Sequence, residues 1–149
     1  MKYYSIFFLF FLTSLQAQTL DYNIKNGFLA NGYDLVSYFT AQKPVKGSSQ
    51  YTYNYNGIPL QFSSQENLRL FLKNPTAYLP QYGGYCAYAI AVKKIKMKID
   101  PETYEIRAGK LYLFYNAWFS NTLNDWLAGD VLQYQRQADA NWKQLKFIQ

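Results

Sequence analysis

Tyr51-Thr52-Tyr53-Asn54-Tyr55 alternates strictly between aromatic and polar side chains, Asn56-Gly57 interrupts it, and Ile58-Pro59-Leu60-Gln61-Phe62 alternates back. That pattern predicts a β-hairpin closed by a two-residue turn. The turn length sets Tyr55 opposite Ile58, Tyr53 opposite Leu60 and Tyr51 opposite Phe62, on the face turned to the core. Pro59 has no N–H to donate, so its strand must have a free edge or a break there. A second hairpin is expected from Tyr104-Glu105-Ile106-Arg107, the turn Ala108-Gly109, and Lys110-Leu111-Tyr112-Leu113.

Helical spacing fills much of the remainder. Ser63 and Glu66 make a Ser-x-x-Glu capping box, Leu68, Phe71 and Leu72 follow at helical intervals, and Asn74-Pro75 stops the run. Trp118, Thr122 and Trp126 with Phe119, Leu123 and Leu127 form an apolar stripe that ends at Gly129. Asp130 is placed to cap a further helix, whose stripe is Val131, Tyr134, Ala138, Trp142 and Leu145. In Lys93-Lys94-Ile95-Lys96-Met97-Lys98-Ile99, lysines alternate with apolar residues, the period of a half-buried strand with a lysine-rich edge. The expectation is an α+β domain: a small antiparallel sheet with hairpins packed against three helices, near residues 64 to 73, 117 to 128 and 131 to 146.

Met1 to Ala17 changes the picture of where the protein resides. One lysine near the start, an apolar stretch and a small-residue end have the layout of a secretory signal peptide, too short for a spanning helix with flanks. The expectation is cleavage near Gln18, an exported chain destined for the periplasm or the medium, and a single domain over residues 18–149. No stable membrane span remains after the leader.

Composition narrows the chemistry. The 149 residues include one cysteine and no histidine. A lone thiol cannot close an intramolecular disulfide, and without imidazole it lacks the usual base of a Cys-His nucleophile and the usual zinc or copper ligand set. Stability must come from packing, for which 16 tyrosines and 11 phenylalanines supply area. The net charge of +6 has no interleaved arginine and aromatic surface to read bases, so no nucleic-acid partner is expected.

Gly32-Tyr33-Asp34-Leu35-Val36-Ser37-Tyr38-Phe39, the tyrosine/Asn-Gly hairpin, Phe62-Ser63-Ser64, Phe71, Pro75, Tyr78 and Tyr82-Gly83-Gly84-Tyr85-Cys86-Ala87-Tyr88 together resemble the exported bacterial branch of YHS-domain proteins. The likeness continues through Asp100-Pro101, the strand ending at Leu113, and Ala138-Asp139-Ala140-Asn141-Trp142. Metal-associated members of that family have cysteines at positions that map by order onto Ser37, Ser63 and Asn67, and the motif histidine also falls at Ser63. Hydroxyl and amide groups are poor partners for soft or borderline metals. The resemblance therefore implies a YHS domain whose metal-ligand positions have been replaced, with no cofactor.

Each candidate carries two readings. Ser63 is either a helix cap or a ligand-contacting residue; Ser37 and Asn67 are either ordinary hydrogen-bonded positions or remnants of a site. Cys86 is either a small buried hydrophobe or a thiol activated at a helix N-terminus. Tyr82, Tyr85 and Tyr88, three apart, would share one drifting helical face, either as core or as the lining of a groove for a small organic molecule or glycan. The leading function is a non-catalytic binding or accessory module with a small-molecule or envelope partner. The alternatives are a thiol-dependent redox protein using Cys86 and an envelope protein-interaction module.

Overall fold

The computed structural model describes residues 19–148, so the predicted leader and the cleavage position at Gln18 lie outside the described residues. Short strands β1 (Ile24–Lys25) and β2 (Phe28–Leu29) pair first, followed by the single turn α1 (Ser37–Thr40). The hairpin of β3 (Ser48–Tyr55) and β4 (Ile58–Phe62) leads into α2 (Gln65–Lys73) and α3 (Pro75–Tyr78). A tight 3-10 turn (Gln81–Gly84) and a π-helical segment (Ala89–Lys93) precede the hairpin of β5 (Asp100–Arg107) and β6 (Lys110–Phe114). A miniature hairpin, β7 (Asn116–Ala117) with β8 (Ser120–Asn121), then enters α4 (Thr122–Ala128) and α5 (Val131–Leu145).

The mixed α+β class is as expected, but among the described residues the strands form four separate antiparallel ladders of two strands each rather than one sheet. Strand β6 explains how such small ladders build a core. Leu111 and Leu113 face one buried cluster, which holds Leu35, Tyr38, Leu60, Phe62 and Phe71, while Tyr112 and Phe114 face another around Tyr82, Ile90, Trp126 and Ala138. Period-2 alternation thus makes one strand the wall between two cores. The stripe of α5 closes the second core as its spacing predicts, with Asp130 capping through a bond from the Gln133 amide at 3.0 Å.

Four local expectations change. Tyr55 and Tyr53 pair with Ile58 and Leu60 as the turn length requires, but an irregularity between Ser48 and Thr52 places Phe62 opposite Ser48 instead of Tyr51. The lysine-rich run is no strand: the chain leaves the π-helical segment through Lys94 in the left-handed region (φ 54°) and continues irregularly to Ile99. Lys96 instead turns to Asp21, with Nζ 2.6 Å from Oδ2. The helix expected from residue 117 begins only at Thr122, where Asn121 caps it by accepting from the Leu123 amide. Trp118 and Phe119 therefore sit in the β7–β8 turn and not on a helical stripe.

The termini of the described chain are tied together. Leu20 bridges Phe147, the Asp21 amide donates to Lys146 O, and Lys96 Nζ donates both to Asp21 and to Phe147 O. Among the described residues, no helix is long and apolar enough to cross a membrane.

Candidate functional site

Asp34 follows the Tyr33–Lys46 bridge and its amide donates to Val45 O, which orients its side chain inward; it is wholly buried, at 0% exposure. A buried carboxylate is tolerated only when its oxygens are filled. Oδ1 accepts from the amides of Val36 (2.9 Å) and Ser37 (3.4 Å), closing an Asx-type turn that starts α1. Oδ2 accepts from the Ser63 amide (2.8 Å), the Ser63 hydroxyl (2.6 Å) and the Asn67 side-chain amide (2.6 Å). Both of those residues stand at the N-terminal end of α2, where the helix dipole favours a negative charge.

Ser37 completes the arrangement from the other side. Its hydroxyl donates to Asp34 O at 2.6 Å and accepts from the Val45 amide at 3.0 Å. Ser37, Ser63 and Asn67, the positions singled out by order along the chain, therefore converge, and the group that gathers them is Asp34. The helix cap belongs to Ser64, whose Oγ accepts from the Asn67 amide at 3.1 Å, and not to Ser63 as the capping box suggested. Ser63 is released from capping because a buried carboxylate 29 residues upstream competes for its hydroxyl. Asp34 itself was missed as a site residue; the available signal was an acidic side chain inside the apolar stretch Gly32 to Phe39.

The remaining candidates lie elsewhere. Cys86 is wholly buried, its Sγ 3.3 Å from Thr122 Oγ1, and its carbonyl accepts from the Ile90 amide at the start of the following helical turn. Tyr82, Tyr85 and Tyr88 do not share a helical face, because Tyr82 and Gly83 adopt left-handed backbone (φ 54° and 61°). Each nevertheless turns to α5 or the terminal clamp. Tyr82 donates to Asp139 and Tyr85 to Asp21, both rings lie beside Trp142, and Tyr88 meets Tyr134 edge-on. Burial, with the carboxylate each faces, raises both phenols well above their ordinary range, Tyr85 to about 12.

Two depressions flank the terminal clamp. An apolar cleft of about 380 Å³ is lined by Leu20, Tyr22, Ile24, Tyr55, Ile58 and Ile148. A more polar groove of about 570 Å³ runs past Tyr22, Tyr82, Asp139, Trp142, Lys143 and Lys146. Tyr82 is the one candidate that lines either; Tyr85, Cys86 and Tyr88 line neither.

Comparison with known families bears on the first of these places. Residues 36–82 match the YHS domain. No curated protein and no solved structure matches the chain. The YHS segment contains Ser37, Ser63 and Asn67, and Asp34 stands two residues before it. Its donor set does not fit zinc or copper. It offers one carboxylate, two hydroxyls and one amide with neither thiolate nor imidazole, and both carboxylate oxygens are already taken by internal donors. Among the described residues, no group of three or more His, Cys, Asp or Glu side chains is placed to hold a metal ion.

Proposed function

We propose that the protein is an exported, non-catalytic binding or accessory module in which a hydrogen-bonded carboxylate has taken over the metal position of the YHS segment. The observation that carries this reading is the convergence of Ser37, Ser63 and Asn67 on Asp34, which turns a place where metal ligands would stand into a structural tie between α1 and the β4–α2 junction. The charged, apolar and small-residue order of Met1 to Ala17 supports export. The groove beside Tyr82 and Trp142 supports binding: it joins aromatic walls to Asp139 and Lys143, a combination suited to a small organic molecule with polar handles. The redox alternative draws no support from a thiol that is buried against a threonine hydroxyl.

Native mass spectrometry on protein recovered from its own cell envelope tests the reading. The expected species has lost Met1 to Ala17 and retains no stoichiometric zinc or copper after dialysis. A retained metal that disappears in the Ser63→Ala and Asn67→Ala variants would overturn the structural role of the cluster, and a retained leader would overturn export.

A further inference from the structure

Among the described residues, the β7–β8 hairpin carries the two most exposed large apolar side chains. Pairing of Asn116 with Asn121 and of Ala117 with Ser120 leaves Trp118 and Phe119 as the whole turn. They are exposed to 94% and 105% of their reference areas. Trp118 also has φ 58°, at a turn position that normally takes Gly, Asn or Asp because a bulky side chain is strained there. A solvated aromatic pair whose first member is strained is not accounted for by folding stability, and such features concentrate where a surface meets a partner.

The base of the hairpin supplies the charge. A recess of about 290 Å³ lined by Lys25, Lys98, Asp100, Tyr115, Asn116 and Ala117 adjoins it. The Asp100 carboxylate is engaged by the Glu102 amide and the Thr103 hydroxyl, whereas Lys25 and Lys98 form no ion pair among the described residues. One end of the molecule thus carries a convex aromatic prong beside two free ammonium groups, on a chain of net charge +6.

We propose that this end docks on an anionic phospholipid surface, with Trp118 and Phe119 inserted at the level of the headgroups and Lys25 and Lys98 against lipid phosphates. Tryptophan favours that level because its ring is apolar while its N–H keeps a polar partner. Lysines beside it add attraction to anionic lipid that falls with salt. A bilayer fits the shape better than a protein partner does: a two-residue convex tip offers far less than the roughly 1,200–2,000 Å² of a stable protein interface, whereas lipid closes around a prong of any outline.

The test uses the full chain and tryptophan fluorescence with vesicles of phosphatidylcholine, with and without phosphatidylglycerol, carrying bromine-labelled acyl chains as quenchers. Met1 to Ala17 contains no tryptophan, so the leader can hold the chain on a vesicle without producing the signal. The expected result is quenching on anionic vesicles that weakens with salt and is lost in Trp118→Phe, which keeps an aromatic tip but removes the reporter. In the Lys25→Gln, Lys98→Gln double variant, the lipid concentration for half-maximal quenching should rise about thirtyfold, at about a kilocalorie per mole for each lysine. Quenching that persists unchanged in Trp118→Phe, or the absence of quenching in the wild-type chain on anionic vesicles, overturns the proposal and leaves a protein partner as the occupant of the prong.

Discussion

Asp34 and Trp118 invert the ordinary distribution of polarity in opposite directions: a carboxylate with no solvent contact, and an indole with almost nothing but solvent around it. The difference lies in what surrounds them. Five donors from two distant stretches of chain satisfy Asp34, so its burial ties local structure together and leaves no free valence for a ligand. Nothing in the fold compensates Trp118, which keeps both its strain and its exposed surface. A residue out of its usual environment therefore points outward to a partner only when the fold has not already paired it, and by that measure the hairpin tip is open and the YHS-matched cluster is closed.

The largest effect should come from emptying the closed side. Asp34→Ala strands the amides of Val36 and Ser63 and the Ser63 hydroxyl, leaves the Asn67 side chain only its bond to Ser63 Oγ, and should cost about 3–5 kcal/mol in urea unfolding. A loss below about 1 kcal/mol would break the contrast. Ser63→Ala and Ser64→Ala should each cost about 1 kcal/mol, for different reasons. Combined with Asp34→Asn, the Ser63 change should be strongly non-additive because the two share a bond, and the Ser64 change less so because they share only Asn67 as a partner.

Alkaline unfolding probes the second core. Tyr82 and Tyr85 hold their protons more tightly folded than unfolded, where tyrosine titrates near 10. The stability they contribute is complete below about pH 10 and falls as pH rises from there, for Tyr85 through about 12. Tyr85→Phe should make that fall shallower, read from unfolding midpoints across the range. Cys86 should react slowly with a disulfide reagent while native and quickly once denatured, and Cys86→Ala should cost on the order of 1 kcal/mol. Fast native reaction would reopen the redox reading. The smallest effect belongs to the open side: Trp118→Gly relieves the left-handed strain and should leave the melting temperature unchanged or raise stability by up to about 1 kcal/mol.

Local patterns and the fold part company where a pattern has two physical solutions. Residues 118, 119, 122, 123, 126 and 127 repeat with helical spacing, yet Asn121 is a stronger start signal than that period, since its side chain caps Leu123 and leaves Trp118 and Phe119 outside the helix. Lys93 to Ile99 alternates like a strand but has no partner ladder, and alternation without a partner does not hold a strand flat. The capping box at Ser63 was one residue out because Ser64 offers the same chemistry.

What the sequence by itself determined are the features whose energetics are local: the Asn56-Gly57 and Ala108-Gly109 hairpins, the Asp130 cap, the α5 stripe, and the absence of any histidine from the site chemistry. Only the tertiary structure decided the partners of Asp34, because a carboxylate does not announce which distant amides will fill it. It also decided the burial of Cys86 against Thr122 and the placing of Lys25 and Lys98 beside an exposed aromatic turn. Those contacts join residues that are far apart along the chain, and such pairings form only when the whole core closes, so no local pattern encodes them.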